Sequence, residues 1–462
     1  MEVKLFGAAE EVTGSCYSVE TKEDKILIDC GMFQGGKDNE RKNHEDFPFN
    51  PAKYKALVLT HAHLDHCGRI PKLVKFGFKG KILSTNATRE LAEIIMRDAA
   101  KIAAEDTDHE NRRRAQQGLP PRRPIYNEMD VKGALKLFVE VDYGEEFKIT
   151  KKISGKLYDA GHILGASSLQ LKINEANKTT ILAFSGDLGQ NNSIIVKNIQ
   201  PIKEADYVFI ESTYGDRLHP PLEERTKEFI RVINESYKRG GKLMIPSFAV
   251  ERAQELLYDI GEFMQKGLVP KMPVYLDSPM AQRATIVFSK YHEYYNEELN
   301  SSLKKRKDVF NFPELIKTVH VNESKKINDE TGPCIIIAGN GMCTGGRIKH
   351  HIKHGIGNPK NTLLFVGFQV RGTLGYWIKK GEKKIKLLGT ESFVKAKIEA
   401  IEGFSAHADA NGLENWIKNF NPKPKKIFIC HGDLEQSQIF AKNLEKQKYK
   451  TQIPRFRESI II

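Results

Sequence analysis

The sequence predicts a mixed α and β fold, because short strand-like runs and longer segments with helical periodicity both occur along it. The strand-like runs recur through the first 210 residues, at positions 25–29, 81–83, 168–171, 180–184 and 207–210. The clearest helical period begins at Asn86, a candidate N-cap, and continues through Arg97. After Glu211, long helix-like segments alternate with apolar strands, which is typical of βαβ units and a largely parallel sheet.

Length and charge narrow the class of protein. A chain of 462 residues with 40% hydrophobic side chains is long enough to fold into more than one globular domain. The formal net charge is +13 and the isoelectric point is about 9.2. Such a charge favours a polyanionic partner such as nucleic acid or an anionic membrane surface, and is equally compatible with a Lys-rich surface that has no such partner.

The sequence shows neither an apolar targeting or membrane segment nor closely paired cysteines. No apolar run approaches the roughly 20 residues that cross a bilayer, and the N-terminus has no apolar signal region. We therefore expect a cytoplasmic protein without a membrane partner. The six cysteines form no C-x-x-C pair, so neither a disulfide framework nor a zinc knuckle is expected, and the thiols should be reduced and mostly buried.

The segment LTHAHLDHCGRIP, residues 59–71, follows the strand-like run 56–59 and crowds metal-ligand side chains into one turn. Imidazole nitrogens and carboxylate oxygens are typical zinc ligands. Four of them occur within six positions: His61, His63, Asp65 and His66. An isolated histidine is more often a surface or core residue, but four ligand-type side chains in one turn make that alternative weak. They cannot all reach one ion, so two ions are the simpler interpretation.

Further ligands are available at other strand ends. His162 lies in DAGHILGA, Asp187 in FSGDLGQ and His431 in ICHGD. Each of these residues alone is as compatible with a structural role as with a ligand role, and their shared strand-end context favours the second. If Asp187 bridges the ions, seven residues supply four protein ligands to each of two zinc ions.

The other histidines lack this context. Five are expected on the surface: His44, His109, His219, His292 and His320. Three are expected on a helix face: His350, His351 and His354.

HAHLDH, together with Asp29 at the end of LIDCG and then His162 and Asp187, resembles the metallo-β-lactamase superfamily, whose fold is an αββα sandwich with metals at the strand ends. ESTYGD, FSAHAD and ICHGD resemble the three additional motifs of the β-CASP nucleases. The resemblance covers essentially the whole chain. It is to the RNA-acting branch, which includes the endonuclease subunit of the cleavage and polyadenylation machinery and its archaeal and bacterial ribonuclease relatives.

The resemblance implies a domain organisation. Residues 1–210 and 394–462 would form the metallo-β-lactamase domain, and residues 211–393 would form an inserted β-CASP cap with a parallel sheet flanked by helices. Substrate would lie in the groove between them.

The resemblance also implies residue roles. One zinc would be held by His61, His63, His162 and Asp187, and the other by Asp65, His66, Asp187 and His431. Asp29 would orient ligands or the bridging water. His407 would be the general acid, held by Glu211, with Ser405 steadying the phosphate. Ser247 of IPSFAVERAQE and Arg371 of VGFQVRGTLG would bind substrate, although Gly-rich turns in such stretches are equally typical of a parallel sheet.

These roles imply RNA hydrolysis by a hydroxide held between two zincs, leaving a 5′-phosphate and a 3′-hydroxyl. The expected substrate is single-stranded RNA, cut internally, and the sequence leaves open whether it is also degraded from the 5′ end. Two alternatives stay open. A small-molecule hydrolase would not need the cap or the SAHAD and CHGD stretches, and the β-CASP DNA nucleases lack the histidine that His431 supplies. An inactive scaffold should have lost ligands, and none is missing.

Overall fold

The computed structural model describes residues 1–175, 178–191, 193–304, 306–367, 369–370 and 372–462, and only the backbone of Lys37. The chain divides into two compact units. The first contains Met1–Leu218 and His407–Ile462, and the second contains His219–Ala406. Over the part of the chain that is described, no helix combines the length and the apolar character needed to cross a membrane.

Two sheets form the centre of the first unit. Among the described residues, one sheet contains β1 (Glu2–Leu5), β2 (Tyr17–Glu20), β3 (Lys25–Ile28), β4 (Ala56–Val58), β5 (Lys81–Ser84), β6 (Phe138–Glu140) and β22 (Ser459–Ile461). Its strand order is β22-β1-β2-β3-β4-β5-β6. The other contains β7 (Glu146–Lys148), β8 (Ile153–Asp159), β9 (Ser167–Glu175), β10 (Lys178–Phe184), β11 (Tyr207–Glu211), β20 (Lys426–Cys430) and β21 (Thr451–Gln452). Its order is β21-β20-β11-β10-β9-β8-β7.

The helices of the first unit, within the same described ranges, are α1 (Gly36–His44), α2 (Leu64–Cys67), α3 (Ile70–Lys75), α4 (Asn86–Gln116), α5 (Glu128–Leu135), α13 (Ala410–Lys418) and α14 (Leu434–Lys446), with a 3-10 turn at Pro51–Lys53. Helix α4 extends well past the predicted segment. Its N-cap is Thr85, whose side chain accepts a hydrogen bond from the Thr88 N–H, so the prediction that Asn86 is the cap was one residue late.

Side chains along the strands of the second sheet point alternately to its two faces, and those on both faces form the core of this unit. Phe184, Phe209 and Phe428 stack in a row, with ring centroids 4.6 and 4.7 Å apart. Tyr17 of the first sheet meets Phe184 edge-on at 5.6 Å, so the two sheets pack face to face. The neighbours of Phe209 along β11 face the opposite way and pack against α13 and α14. The core therefore holds each strand end at a fixed position.

The second unit is built on a parallel sheet. Its described strands are β12 (Lys242–Pro246), β13 (Val274–Leu276), β14 (Leu315–Lys317), β15 (Cys334–Ala338), β16 (Thr362–Phe365) and β19 (Lys397–Ala400), with a separate hairpin of β17 (Lys384–Leu387) and β18 (Thr390–Phe393). The sheet order is β14-β13-β15-β12-β16-β19, and its described pairs are all parallel. The predicted boundary at residue 394 falls before β19, which pairs with β16 and so stays in this unit.

The helices of the second unit lie between these strands in the sequence. Within the described ranges they are α6 (Leu222–Lys238), α7 (Arg252–Gln265), α8 (Pro279–Phe288), α9 (Glu297–Leu303), α10 (Val321–Lys326), α11 (Ile348–Gly355) and α12 (Leu374–Lys379), with 3-10 turns at His292–Tyr294 and Ile327–Asp329. The strand–helix alternation confirms the βαβ pattern that the sequence predicts after Glu211.

Histidines and cysteines outside the metal-ligand motifs lie largely where the sequence places them. Four histidines expected on the surface are exposed, and His219 is half-buried. The three expected on a helix lie in α11, and His351 occupies the buried side of that helix. All six cysteines are buried, and none forms a disulfide in the structure.

His351 belongs to a buried polar network that the sequence does not predict. The fully buried Asp277 carboxylate, directly after β13, accepts hydrogen bonds from Ser324 Oγ at 2.6 Å, Arg347 Nη1 at 2.7 Å and His351 Nε2 at 2.6 Å, and from the Thr318 hydroxyl. Burial alone would raise the pKa of Asp277, but these donors outweigh it and hold the pKa well below its usual range. The network ties β13 to α11.

Asp277→Ala should lower the free energy of unfolding by about 3–5 kcal/mol at neutral pH, because it leaves the half-buried Arg347 guanidinium and the buried His351 and Ser324 donors without their acceptor. A carboxyl whose pKa is depressed by folding stabilises the protein above its unfolded pKa of about 3.9, and that contribution is lost as the pH falls. The difference from wild type should therefore shrink below about pH 4 in urea titrations. The exposed Asp329→Ala control should change stability by less than about 0.5 kcal/mol; an equal loss in both variants would contradict the network's role.

Candidate metal centre

The first sheet brings two of the predicted segments together at one edge. Strands β3 and β4 are parallel, so their carboxyl ends lie side by side. Asp29 follows β3, and the turn at residues 61–66 follows β4 and leads into α2. Gly31 permits this approach, because a Cβ there would lie 1.5 Å from the Asp65 carbonyl oxygen.

The second sheet supplies four more segments by the same rule. Strands β8, β10, β11 and β20 all run in one direction, since β9 is antiparallel to both β8 and β10 and the remaining pairs are parallel. His162, Asp187 and His431 follow β8, β10 and β20, and Glu211 is the last residue of β11. One sheet edge therefore presents all four side chains.

A first group of ligand atoms converges around one point. His63 Nδ1 lies 3.1 Å from His61 Nε2 and 3.2 Å from His162 Nε2. Asp187 Oδ2 lies 3.4 Å from His61 Nε2 and 3.7 Å from His162 Nε2. Two ligand atoms bonded at 2.0–2.1 Å to one tetrahedral zinc stand roughly 3.3–3.4 Å apart. The spacing of these four atoms fits that geometry.

A second group converges on the other oxygen of the same aspartate. His66 Nε2 lies 3.2 Å from His431 Nε2 and 3.3 Å from Asp187 Oδ1. Asp187 Oδ1 is 3.5 Å from His431 Nδ1, and Asp65 Oδ2 is 3.6 Å from His431 Nε2. Asp65, His66 and His431 form a second set that could hold a metal ion, and Asp187 Oδ1 lies beside it.

Asp187 faces both groups, one oxygen to each. Its Oδ1 is buried and accepts no hydrogen bond within the described part of the chain. A buried carboxylate oxygen without a hydrogen-bond donor is costly, and a metal ion would satisfy it. Burial would raise the pKa of Asp187, but His431, His66 and His61 outweigh it and hold the pKa well below its usual range. The carboxylate is therefore in the anionic form that binds metal.

The histidines of the first group are in the form that binds metal. Burial, as the largest cause, lowers the pKa of His61 to about 3 and that of His63 to about 4, and also depresses the pKa of His162. Neutral imidazoles offer a lone pair at neutral pH. Burial would also lower the pKa of His66, but Asp187 and Asp29 hold it well above its ordinary value. A metal ion at the second group must therefore displace a proton.

Asp29 orients ligands of both groups. It accepts hydrogen bonds from the Thr60 N–H at 2.8 Å and the Thr60 hydroxyl at 2.9 Å, and from His66 Nδ1 at 2.8 Å. Because the Thr60 hydroxyl donates to Asp29, its oxygen can accept from His61 Nδ1, 3.1 Å away. The Nδ1 atoms of both histidines are thereby held in place, and each Nε2 is directed at Asp187. Thr60 was not anticipated from the sequence, although it directly precedes His61 and its small polar side chain was the available signal.

Asp29→Asn should weaken metal binding about 10- to 100-fold, because the amide cannot accept from all three donors and no longer fixes the His66 tautomer. Competition with a chelator that reports free metal would measure the change. Asp142→Asn, an exposed carboxylate of the same unit, is the matched control. Equal metal affinity for Asp29→Asn and wild type would contradict the orienting role.

His407 and Glu211 form a pair beside the first group. His407 Nδ1 lies 3.2 Å from both oxygens of the Glu211 carboxylate and 3.9 Å from Asp187 Oδ2. Glu211 is in turn held by the Leu188 N–H at 2.7 Å, and a β-bridge with Gly189 fixes the backbone of His407. Burial would lower the pKa of His407, but Glu211 raises it to about 9, so this imidazole is protonated at neutral pH.

Three segments of the chain match known families in order. Residues 9–206 match the metallo-beta-lactamase superfamily, residues 253–378 the Beta-Casp domain, and residues 393–454 the Zn-dependent metallo-hydrolase RNA specificity domain. Among curated proteins, the chain is 36% identical over 460 residues to one named ribonuclease TTHA0252 from Thermus thermophilus, an alignment that covers 100% of both chains. The chain belongs to the RNA-acting β-CASP family.

Other relatives of this β-CASP protein come from Methanocaldococcus jannaschii. An RNase J-like protein is 32% identical, with 98% of this chain and 97% of the relative covered. A protein named transcription termination factor FttA is 33% identical, with 98% and 70% covered. A crystal structure of a protein of unknown function from Enterococcus faecalis V583 shares the fold, with a TM-score of 0.55 at 13% identity over 100% of this chain and 99% of that one.

Family membership confirms three predictions from the sequence: the α/β fold class with its metallo-β-lactamase and β-CASP parts, the RNA-acting branch, and the class of metal-dependent hydrolase. The structure brings together all seven ligand candidates with Asp29, Glu211 and His407 in the first unit.

The three substrate-binding candidates of this β-CASP protein are placed differently. Ser247 and Ser405 belong to the second unit. Ser247 is buried, and its hydroxyl donates to the Phe248 carbonyl at 2.9 Å. Ser405 is half-buried. Arg371 lies outside the described residues. Their roles toward substrate remain predictions.

Proposed function

We propose that this protein is a zinc-dependent ribonuclease that hydrolyses phosphodiester bonds of single-stranded RNA with two ions at the metal centre. One observation carries the proposal: Asp187 turns one carboxylate oxygen to each of two converging ligand groups, and its Oδ1 is a buried acceptor without a hydrogen bond. The relatives' names and the RNA specificity match over residues 393–454 support RNA as the substrate.

The ligand residues would divide between the ions. His61, His63 and His162 with Asp187 Oδ2 would hold one, and Asp65, His66 and His431 with Asp187 Oδ1 would hold the other. When bound, a pair of zinc ions supplies an activated water at neutral pH and positive charge for a phosphoryl oxygen. Seven buried or half-buried side chains, further fixed by Asp29 and Thr60, keep these positions rigid.

His407 is the proton donor in this proposal. Cleavage that leaves a 5′-phosphate breaks the bond from phosphorus to the 3′ oxygen, and that oxygen leaves as an alkoxide unless a proton reaches it. Glu211 accepts the hydrogen bond of His407 Nδ1 and stabilises the imidazolium, so the proton on Nε2 is available for transfer. Asp187, 3.9 Å from His407 Nδ1, adds a second negative charge nearby.

The decisive experiment compares circular RNA, end-labelled linear RNA and single-stranded DNA as substrates, with and without a metal chelator. We expect the circle to be opened, because an endonuclease needs no free end, and we expect the chelator to stop all cleavage. Release of nucleotides from a 5′ label would add the 5′–3′ exonuclease activity. Failure to cleave either RNA, or faster cleavage of DNA than of RNA, would overturn the proposal and favour the DNA nuclease alternative.

A further inference from the structure

An arginine-rich segment of the first unit has no part in the metal centre. Residues 111–123, NRRRAQQGLPPRR, contain five arginines and no acidic residue, and we call this segment the arginine turn. It comprises the C-terminal end of α4 and the chain that doubles back along it. From Lys101 to Ile125 no described side chain is buried. This half of α4 therefore does not contribute to the core.

The arginine turn is held in a defined conformation. Asn111 Nδ2 donates to the Arg122 carbonyl at 2.9 Å, and the Arg122 N–H donates back to Asn111 Oδ1 at 2.8 Å. Arg114 Nε donates to the Pro120 carbonyl at 2.7 Å. The adjacent prolines at 120 and 121 restrict the returning chain further. The arginines are thus displayed on an ordered support.

The charge of the arginine turn is only partly neutralised. Glu110 lies 3.1 Å from Arg122 and 4.0 Å from Arg114. Arg112, Arg113 and Arg123 are exposed and have no ion pair or side-chain hydrogen bond with the residues that the structure describes. Three exposed guanidinium groups therefore have no anionic partner among the described residues.

We infer that the arginine turn binds phosphate groups of the RNA substrate away from the metal centre, an inference that rests on the proposed function. Guanidinium groups are weakly hydrated and bind phosphate oxygens in a bidentate manner. The net charge of +13 supports a polyanion over an isolated acidic peptide. Leu119, 45% exposed within the turn, adds an apolar surface that nucleobases can contact. Longer RNA should therefore bind more tightly than RNA that reaches only the metal centre.

The test is the salt dependence of RNA affinity. A triple variant, Arg112→Gln with Arg113→Gln and Arg123→Gln, is compared with its parent by fluorescence anisotropy, using labelled single-stranded RNA. The His407→Ala background, which should retain metal, slows cleavage during the measurement. Each lost phosphate contact reduces the slope of log K against log salt by about 0.7 for single strands. We expect the slope to fall by about 2. In the wild-type background, the triple variant should raise KM for long RNA and leave kcat unchanged.

A matched control separates a local effect from net charge. Lys53, Lys79 and Lys81 are three exposed lysines near the amino ends of β4 and β5, without an ion pair among the described residues, and their replacement by Gln removes the same charge. We expect the control to keep the parent slope. Equal slopes in parent and arginine variant would overturn the inference and point to an acidic protein partner, and an equal loss in both variants would overturn it as non-specific. If the slope falls in the triple variant as expected but the wild-type protein cleaves no RNA, only the proposed function is refuted.

Discussion

Asp187→Ala is expected to remove both metal ions and cleavage together. The residue contributes one oxygen to each ligand group, at 3.4 Å from His61 Nε2 and 3.3 Å from His66 Nε2. Among the described residues, no other carboxylate faces both groups. Without Asp187, each site would therefore lose a negative charge that neutralises its metal ion. The loss should exceed the 10- to 100-fold effect typical of residues that only orient a ligand.

Metal content and RNA cleavage should be measured on the same preparation of Asp187→Ala, with circular dichroism to establish folding. Asp159→Asn is the matched control, because Asp159 is another buried carboxyl at a strand end of the same sheet but faces Gly161 instead of a histidine. The control should keep its metal. Retained metal and activity in Asp187→Ala would show that the bridge is misplaced.

His407→Ala is expected to keep both metal ions and to bind RNA, and to cleave it about 10²- to 10⁴-fold more slowly, the usual effect of losing a general acid. The imidazole is hydrogen-bonded to Glu211 and is not required by either ligand group. Glu211→Gln should have the same direction of effect, because it withdraws the charge that keeps His407 protonated. His109→Ala, at an exposed histidine, should have none.

A substrate with a better leaving group tests the His407 role specifically. RNA with sulfur in place of the bridging 3′ oxygen expels a thiolate, which needs no proton. The His407→Ala variant should therefore cleave this substrate at nearly the wild-type rate. Loss of metal from the variant, or equal defects on the oxygen and sulfur substrates, would contradict the assignment.

The candidate metal centre could be predicted from the sequence because the positions of its residues follow from local rules. Asp187 and His431 each follow an apolar run, His162 follows an alternating strand, and strands that run in one direction place such positions at one edge of a sheet. The turn at residues 61–66 is itself a continuous motif. These features need no knowledge of which strands are neighbours, only that the runs share a direction.

Features that depend on distant pairing could not be read in the same way. The Asp277–His351 contact joins residues 74 positions apart, and nothing in the sequence near His351 distinguishes it from His350 or His354. The pairing of β19 with β16 likewise extends the second unit past the predicted boundary. Thr60 resembles any polar residue at a strand end until its contact with Asp29 is seen.

The metal content of the purified protein shows whether two ions share Asp187. Elemental analysis, combined with anomalous X-ray diffraction at the zinc edge, would give both the number and the location of bound ions. We expect two zinc ions per chain, one at each ligand group and both beside Asp187. A fully active protein with a single zinc, or with two metal ions that are not flanked by Asp187, would contradict this expectation.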